Sequence, residues 1–197
     1  YGSGMPKPGD IKYIDLDGDG VISDNDKTAI GGSFRPQVQY GFGINTRYRS
    51  LGFGIFFQGN ARVWQILGGQ NWIPGSSGGA AGNILTNIDD RWTEENPSQD
   101  VFWPRLSKAL NEINTQASTW WLRDMSFLKL RNIELSYDLP NKLIGGIGMQ
   151  KVQIFVRGNN LFTFSKFKLW DPELGTTDGL KYPLMKSFTA GFNINLK

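Results

Sequence analysis

Residues 37–48, "QVQYGFGINTRY", alternate between two kinds of side chain. The apolar and aromatic set, with one threonine, runs from Val38 to Tyr48 in steps of two. The set between them is polar or glycine and runs from Gln37 to Arg47. A period of two over this length predicts a long β-strand whose two faces meet different surroundings.

The same alternation recurs along the chain. It resumes after residues 49–50 in "LGFGIFFQGNAR", so the first two stretches predict a hairpin with a tight connection. Three later stretches show it again, at about residues 125–137, 151–162 and 186–197. The sequence therefore predicts about five strands.

The links between these strands differ in length. Residues 49–50 and about 139–150 are short links, whereas residues 63–123, residues 165–183 and the N-terminal segment are long. Compact soluble domains rarely contain such long loops. Transmembrane β-barrels combine strands of about 9–11 residues with short periplasmic turns and long extracellular loops. We therefore predict an all-β fold whose strands belong to a transmembrane antiparallel β-barrel.

The two faces of the predicted strands support this interpretation. An antiparallel sheet with one wet face shows the same alternation and is the alternative. The polar face is rich in Gly, Asn, Gln, Thr and Ser, which suits a water-filled lumen, and the other face suits lipid. With a periplasmic C-terminus, all long segments lie outside the cell. Residues 1–35 then form an extracellular segment, and residues 36–197 belong to the barrel.

Composition excludes several functional classes. The 197 residues include no His and no Cys, so Ser-His-Asp triads, thiol nucleophiles and the common zinc sites are excluded. The net charge of +3 is small and the basic residues are scattered, which argues against nucleic-acid binding. No apolar run is long enough for a transmembrane helix. The chain begins without Met, and we expect a C-terminal piece of a longer protein.

Five phrases resemble the C-terminal portion of SusC-like (SusC/RagA class) TonB-dependent transporters of the Bacteroidetes outer membrane. In order, they are "PGDIKYIDLDGDGVISDNDKTAIG", "DDRWTEENPSQDVFWPRLS", "STWWLRDMSFLKLRNIELSYDLP", "VQIFVRGNNLFTFSKFKLWDPE" and "YPLMKSFTAGFNINLK". The resemblance implies that these are the C-terminal strands, about five, of a large transmembrane antiparallel β-barrel with long extracellular loops. That barrel is a single chain with an N-terminal plug and is covered by a SusD-like lipoprotein. It also implies TonB-driven uptake of oligosaccharides, or of peptides in some members. The expected partners are the rest of the transporter chain, the lipoprotein, TonB and outer-membrane lipid.

Residues 15–26, "DLDGDGVISDND", have the spacing of a calcium-binding loop. In that reading the ligands are Asp15, Asp17, Asp19, the Val21 carbonyl, Ser23 and Asp26. Asp26 stands where a Glu is usual, and the flanking helices of an EF-hand are missing. A solvated acidic turn is the alternative. We expect a structural Ca²⁺, with Mg²⁺ less suitable, that braces an extracellular loop.

All seven Trp residues lie in the links or at their edges. Trp120 and Trp121 suit a girdle at the membrane boundary. Trp64 and Trp72 are candidates for stacking on a substrate.

No catalytic residue is predicted. Nothing in the sequence sets the separation of the acidic pairs at Asp89–Asp90 and Glu94–Glu95, which glycosidase chemistry requires. The chain is therefore expected not to be an enzyme, and a surface glycosidase is a remote possibility. The main alternative to the transporter is a calcium-binding cell-surface or adhesion β-module.

Overall fold

The computed structural model describes residues 5–69, 85–107, 111–144, 146 and 148–196. The strands are β1 (Val38–Tyr48), β2 (Leu51–Ala61), β3 (Trp64–Ile66), β4 (Leu122–Asp124), β5 (Phe127–Asp138), β6 (Met149–Ser165) and β7 (Ser187–Leu196). The short helices are α1 (Glu112–Thr115) and α2 (Asn141–Ile144). Single 3₁₀ turns lie at Asp24–Asp26, Thr119–Trp121 and Pro172–Leu174. No helix among these residues has the length and hydrophobicity needed to cross a membrane.

The five predicted strands form one antiparallel sheet. Its order is β1-β2-β5-β6-β7, and β3 and β4 form a separate two-stranded sheet. Within the described residues β1 and β7 are the two edges, so the sheet is open. Each strand pairs with the next long strand in the sequence, as in an up-and-down barrel wall.

The predicted hairpin is present, with β1 and β2 in register from Val38↔Ala61 to Tyr48↔Leu51. Only two residues connect these strands, and Arg49 at the turn has a φ of 52°. Two-residue hairpins need such a left-handed position, because it matches the right-handed twist of the strands.

One glycine in this hairpin is required by close packing. The Tyr40 ring lies against Gly59, where a Cβ would overlap the ring. The Tyr40 hydroxyl then donates to the carbonyl of Phe127 on β5 at 3.3 Å. Gly59 therefore leaves room for a side chain that links three strands.

The chain divides into two compact units. The first comprises Tyr1–Gly32, Gln65–Arg123 and Thr176–Leu180, and its buried side chains include Leu67, Trp103 and Trp121. The second comprises Ser33–Trp64, Asp124–Gly175 and Lys181–Lys197, and it contains the five-stranded sheet. The predicted boundary at residues 35 and 36 stays a prediction.

Candidate functional site

One face of the sheet is apolar and exposed. Ile44, Leu135 and Ile154 are 65%, 51% and 46% exposed, and Phe188 and Phe192 are 75% and 68% exposed. The strand register brings such residues together across the sheet, for example Ile44 opposite Ile55 and Ile154 opposite Phe192. These side chains do not form a closed interior. A sheet face that exposes large apolar side chains on strands from β1 to β7 indicates that another apolar phase covers it.

The opposite face carries polar side chains that bond across the strands. Asn132 donates to Asn159 at 3.0 Å, and Asn159 donates to Ser187 at 3.1 Å. Arg157 donates to Glu134 at 2.7 Å through Nε. These bonds join β5, β6 and β7 through side chains that also remain in reach of water. This face therefore has the chemistry of a wall that borders an aqueous space.

A second charged group lies on this polar face near the connections of β1 to β2 and β5 to β6. Asp138 accepts hydrogen bonds from Arg47 and, at 2.9 Å, from Gln153. Lys151 lies 3.1 Å from the same carboxylate. One carboxylate thus ties together the ends of three strands.

A β-bulge interrupts the alternation in β5. Phe56 and Phe57 of β2 are consecutive but pair with Asn132 and Leu130 of β5, so Arg131 is the extra residue of β5. Without the bulge, a period of two would place Lys129 and Arg131 on the same face as Ile133. With it, Lys129 lies opposite Gln58 and Thr163, on the polar face. Bulges commonly redirect side chains in this way at barrel rims and functional sites.

Lys129 is the buried centre of an ion cluster on the polar face. Its side chain is 1% exposed, and its Nζ lies 2.7 Å from carboxylate oxygens of both Asp171 and Glu173. Arg131 also binds Glu173, and Gln58 accepts a 2.9 Å bond from its Nε. Burial alone would raise the pKa of Glu173, but the hydrogen bonds and charges of Arg131 and Lys129 outweigh this and lower it.

The acidic loop brings three carboxylates together. One oxygen from each of Asp15, Asp17 and Asp19 lies within 4.8 Å of the others, and all three residues are exposed. The two oxygens of Asp15 accept the N–H groups of Gly18 and Gly20 at 2.7 and 2.8 Å. These glycines have φ values of 76° and 84°, a conformation that few other residues adopt.

The other predicted ligands are placed differently. Both oxygens of Asp26 accept backbone N–H groups, from Leu16 at 2.7 Å and Ser23 at 2.6 Å, and these bonds lower its pKa, with that from Ser23 contributing most. The Ser23 hydroxyl oxygen accepts the N–H of Asn25 at 3.1 Å. The three converging carboxylates suit a hard cation, and a carboxylate oxygen keeps a further lone pair beside each hydrogen bond. Ligation by Val21, Ser23 and Asp26 stays a prediction.

The tryptophans have different environments. Trp64 begins β3 and is 37% exposed, which leaves its ring accessible, whereas Trp72 lies outside the described residues. Trp121 is fully buried, packs 5.8 Å from the Trp103 ring and donates to the Asn114 carbonyl at 2.9 Å. The girdle prediction is therefore wrong for Trp121. Trp120 is half-buried and donates to the Phe102 carbonyl at 3.1 Å, so it also serves local packing.

The first unit contains a polar junction beside a cleft. Asp10 binds Arg105 through two bonds of 3.1 Å and accepts bonds from Asn111 and Asn114 at 2.9 and 3.0 Å. The cleft has a volume of about 1030 Å³, and its lining includes Tyr13, Trp92, Trp120, Ile22 and Asp26. Its size is that of a small-molecule site, and the acidic loop contributes to its wall.

Comparison with known proteins found no matching family model. Among curated proteins, TonB-dependent receptor P3 of Formosa agariphila is 31% identical over 98% of this chain and 19% of its own length. TonB-dependent receptor P26 of the same organism is 29% identical over 98% of this chain and 20% of its own length. The chain thus spans about a fifth of the length of these relatives.

Solved structures give the same result. A structure of the RagAB peptide transporter matches 88% of this chain and 19% of its own, with a TM-score of 0.71 and 29% identity. The RagAB peptide importer in its open-open state matches 89% of this chain and 19% of its own, with a TM-score of 0.70 and 28% identity. The resemblance to SusC-like TonB-dependent transporters is confirmed. The predicted barrel strands are confirmed with it.

Two further predictions are tested by the same comparisons. The relatives are receptors and importers, so the prediction that the chain is not an enzyme is confirmed. TonB-dependent receptors act in the outer membrane of Gram-negative bacteria, and the predicted location is also confirmed. The calcium-binding module gains no support from these relatives.

The ion cluster around Lys129 on the five-stranded sheet was not predicted from the sequence. A signal for it was present, because the apolar residues of β5 change parity between Leu130 and Ile133. Such a change indicates a bulge. The partners Asp171 and Glu173 lie 42 and 44 residues from Lys129, and no local pattern connects them.

Proposed function

We propose that the chain forms part of the barrel wall of an outer-membrane TonB-dependent transporter. In this proposal the apolar face meets lipid and the polar face borders the passage for the solute. The observation that carries this proposal is the contrast between the two faces of the sheet. Large apolar side chains such as Ile44 are exposed on one face, and hydrogen-bonded polar groups such as Arg157 and Glu134 occupy the other.

We propose that the full-length transporter imports oligosaccharides or peptides together with a SusD-like lipoprotein, with energy coupled through TonB. Similarity to the RagAB peptide importer supports peptides among these two classes. Uptake of labelled oligopeptides and labelled oligosaccharides, measured separately in a gene deletion and its complemented strain, tests this. We expect one class to be lost on deletion and restored by the wild-type gene. Unchanged uptake of both classes would contradict the proposal.

The assignment of the faces has its own test. Val156 and Arg157 are neighbours on β6 and lie on opposite faces. In the full-length receptor in its membrane, a water-soluble, membrane-impermeant maleimide is expected to label Arg157→Cys and not Val156→Cys. Equal labelling of the two variants would show that both faces meet water, and the barrel assignment would then be wrong.

We also propose that Asp15, Asp17 and Asp19, with the Val21 carbonyl, Ser23 and Asp26, hold a Ca²⁺ that braces this loop. Convergence of the three carboxylates supports the proposal. Calorimetric titration of the full-length receptor with CaCl₂ is expected to lose one binding event in Asp17→Asn. Asp24→Asn is the matched control, because Asp24 lies in the same loop and pairs with Lys27. Unchanged stoichiometry in Asp17→Asn would refute the site.

Trp64 is proposed to contact the substrate, since its ring is accessible. Trp64→Ala is expected to raise the KM for uptake without lowering the amount of assembled receptor, and Trp64→Phe is expected to restore most of the affinity. An unchanged KM in Trp64→Ala would remove this residue from the binding surface. Trp72 stays a candidate of the same kind.

A further inference from the structure

The segment that follows β6, residues 166–175, packs back onto the polar face of the sheet. Its 3₁₀ turn, Pro172–Leu174, begins at Asp171, whose Oδ1 accepts the Glu173 N–H at 3.0 Å. The other Asp171 oxygen binds Lys129 at 2.7 Å, as does Oε2 of Glu173. Asp171 therefore caps the turn and fastens it to β5 at the same time.

Burial of Lys129 shows that this segment covers part of the polar face. The register places Lys129 on that face, yet only 1% of its side chain is exposed. The carboxylates of Asp171 and Glu173 supply the negative charge that a buried ammonium requires. Neither β2 nor β6 offers a carboxylate at the partners of Lys129, which are Gln58 and Thr163.

The bulge adds a second attachment. Arg131, the extra residue of β5, binds Glu173 and donates to Asn160 at 3.0 Å and to Gln58 at 2.9 Å. Gln58 and Asn160 hold the guanidinium in one orientation, so that Glu173 contacts two cations fixed on the sheet. Two cations and two carboxylates make the cluster electrically neutral. A segment held in this way has few alternative positions of similar energy.

We propose that residues 166–175 form a fixed ledge on the passage side of the barrel wall, with Lys129 and Arg131 as its positioning residues. The ledge narrows the passage over the first residues of β5. It differs from a mobile lid, because ion pairs centred on the buried Lys129 hold it. The identification of this side as the passage rests on the proposed function. The attachment of the ledge to the sheet does not.

Hydrogen exchange in the full-length receptor, followed by mass spectrometry, tests the attachment. The N–H groups of Glu173, Leu174 and Gly175 are hydrogen-bonded within the turn and report its opening. In Lys129→Met these amides are expected to exchange about 100-fold faster, since two half-buried carboxylates then lose the cation that they share. Lys129→Arg keeps the charge and is expected to restore most of the protection.

Arg157→Met is the matched control. It removes a cation from the same face, but Arg157 pairs with Glu134 on the neighbouring strand and leaves the ledge unchanged. We expect wild-type exchange at residues 173–175 in this variant. Should Lys129→Met fail to assemble, Glu173→Gln carries the test, because it removes the charge that pairs with both Lys129 and Arg131 without altering a strand.

Two results would overturn the ledge: rapid exchange at residues 173–175 in the wild-type receptor, or wild-type exchange in both Lys129→Met and Glu173→Gln. Failure of the proposed function has a different signature. It would show in the maleimide labelling of the Val156 and Arg157 positions, whatever the exchange at the ledge.

Discussion

A charge placed on the apolar face of β1 should cost far more folding free energy than the same charge placed on the polar face. Ile44 is the seventh of the eleven residues of β1, one residue or about 3 Å from the strand centre, and is 65% exposed on the apolar face. Asn45 is its neighbour and lies on the polar face, opposite Gly54. The pair Ile44→Arg and Asn45→Arg therefore places the same side chain at almost the same depth on opposite sides of the sheet.

The depth of the substituted residue in the bilayer decides the free-energy cost. An arginine on the lipid face of a barrel costs about 2–4 kcal/mol at the bilayer midplane and about 0–1 kcal/mol near the interfaces. Because Ile44 is near the strand centre, we expect Ile44→Arg to fall in the upper range, at least about a 30-fold loss in the folding equilibrium. Asn45→Arg should cost less than about 1 kcal/mol, because its face meets water.

Denaturant unfolding of the full-length receptor in lipid vesicles measures the difference, and the amount of assembled receptor in outer membranes provides a second readout. If the sheet had instead a wet apolar face, Ile44→Arg would replace an exposed side chain and change stability by no more than about 0.5 kcal/mol. Equal stability of the two variants would therefore refute the assignment of lipid to the apolar face.

Three further predictions follow. Deletion of Arg131 removes the bulge, so residues 127–130 turn to the opposite faces and Lys129 enters the lipid face. We expect loss of assembled receptor on a heat-modifiability gel, while deletion of Gly146 in the short link leaves assembly intact. Burial alone would raise the pKa of Asp10, but bonds from Arg105, the Lys7 N–H and Asn114 hold it below its usual value. The stability that the ionised Asp10 contributes to the fold is therefore full above about pH 4 and declines as the pH falls through the lowered pKa. Asp10→Asn should therefore lower the stability of the first unit at pH 7 by about 2 kcal/mol and flatten its acid dependence, and an unchanged acid profile in thermal unfolding would contradict this. Trp121→Ala should lower the free energy of unfolding by about 3–5 kcal/mol in the same assay, because the side chain is fully buried. The control Trp64→Ala changes an exposed side chain and should lower it by less than about 1 kcal/mol. Similar losses in the two variants would argue against a structural role for Trp121.

The strands and their faces could be predicted from the sequence. A period of two places each side chain on one face by local geometry alone, so β1, β2, β7 and most of β6 follow from the alternation. The glycines of the acidic loop are equally local, since Gly18 and Gly20 adopt a left-handed backbone that the "DGDG" pattern anticipates. The convergence of Asp15, Asp17 and Asp19 follows from the same short-range geometry.

Long-range packing decided the rest. Trp120 and Trp121 look like boundary residues in the sequence, but contacts with Phe102, Trp103 and Asn114 bury Trp121 inside its unit. Exposure depends on which distant segments pack over a side chain, and no local periodicity contains that information.

The alternating sequence by itself determined five strands with one lipid-type face and one polar face, because side-chain direction along a strand is set residue by residue. Only the tertiary structure showed that Lys129 is buried and that Asp171 and Glu173 neutralise it. Charges that lie about forty residues apart meet only after the sheet has formed and the bulge has redirected β5. Their pairing is therefore a property of the folded molecule.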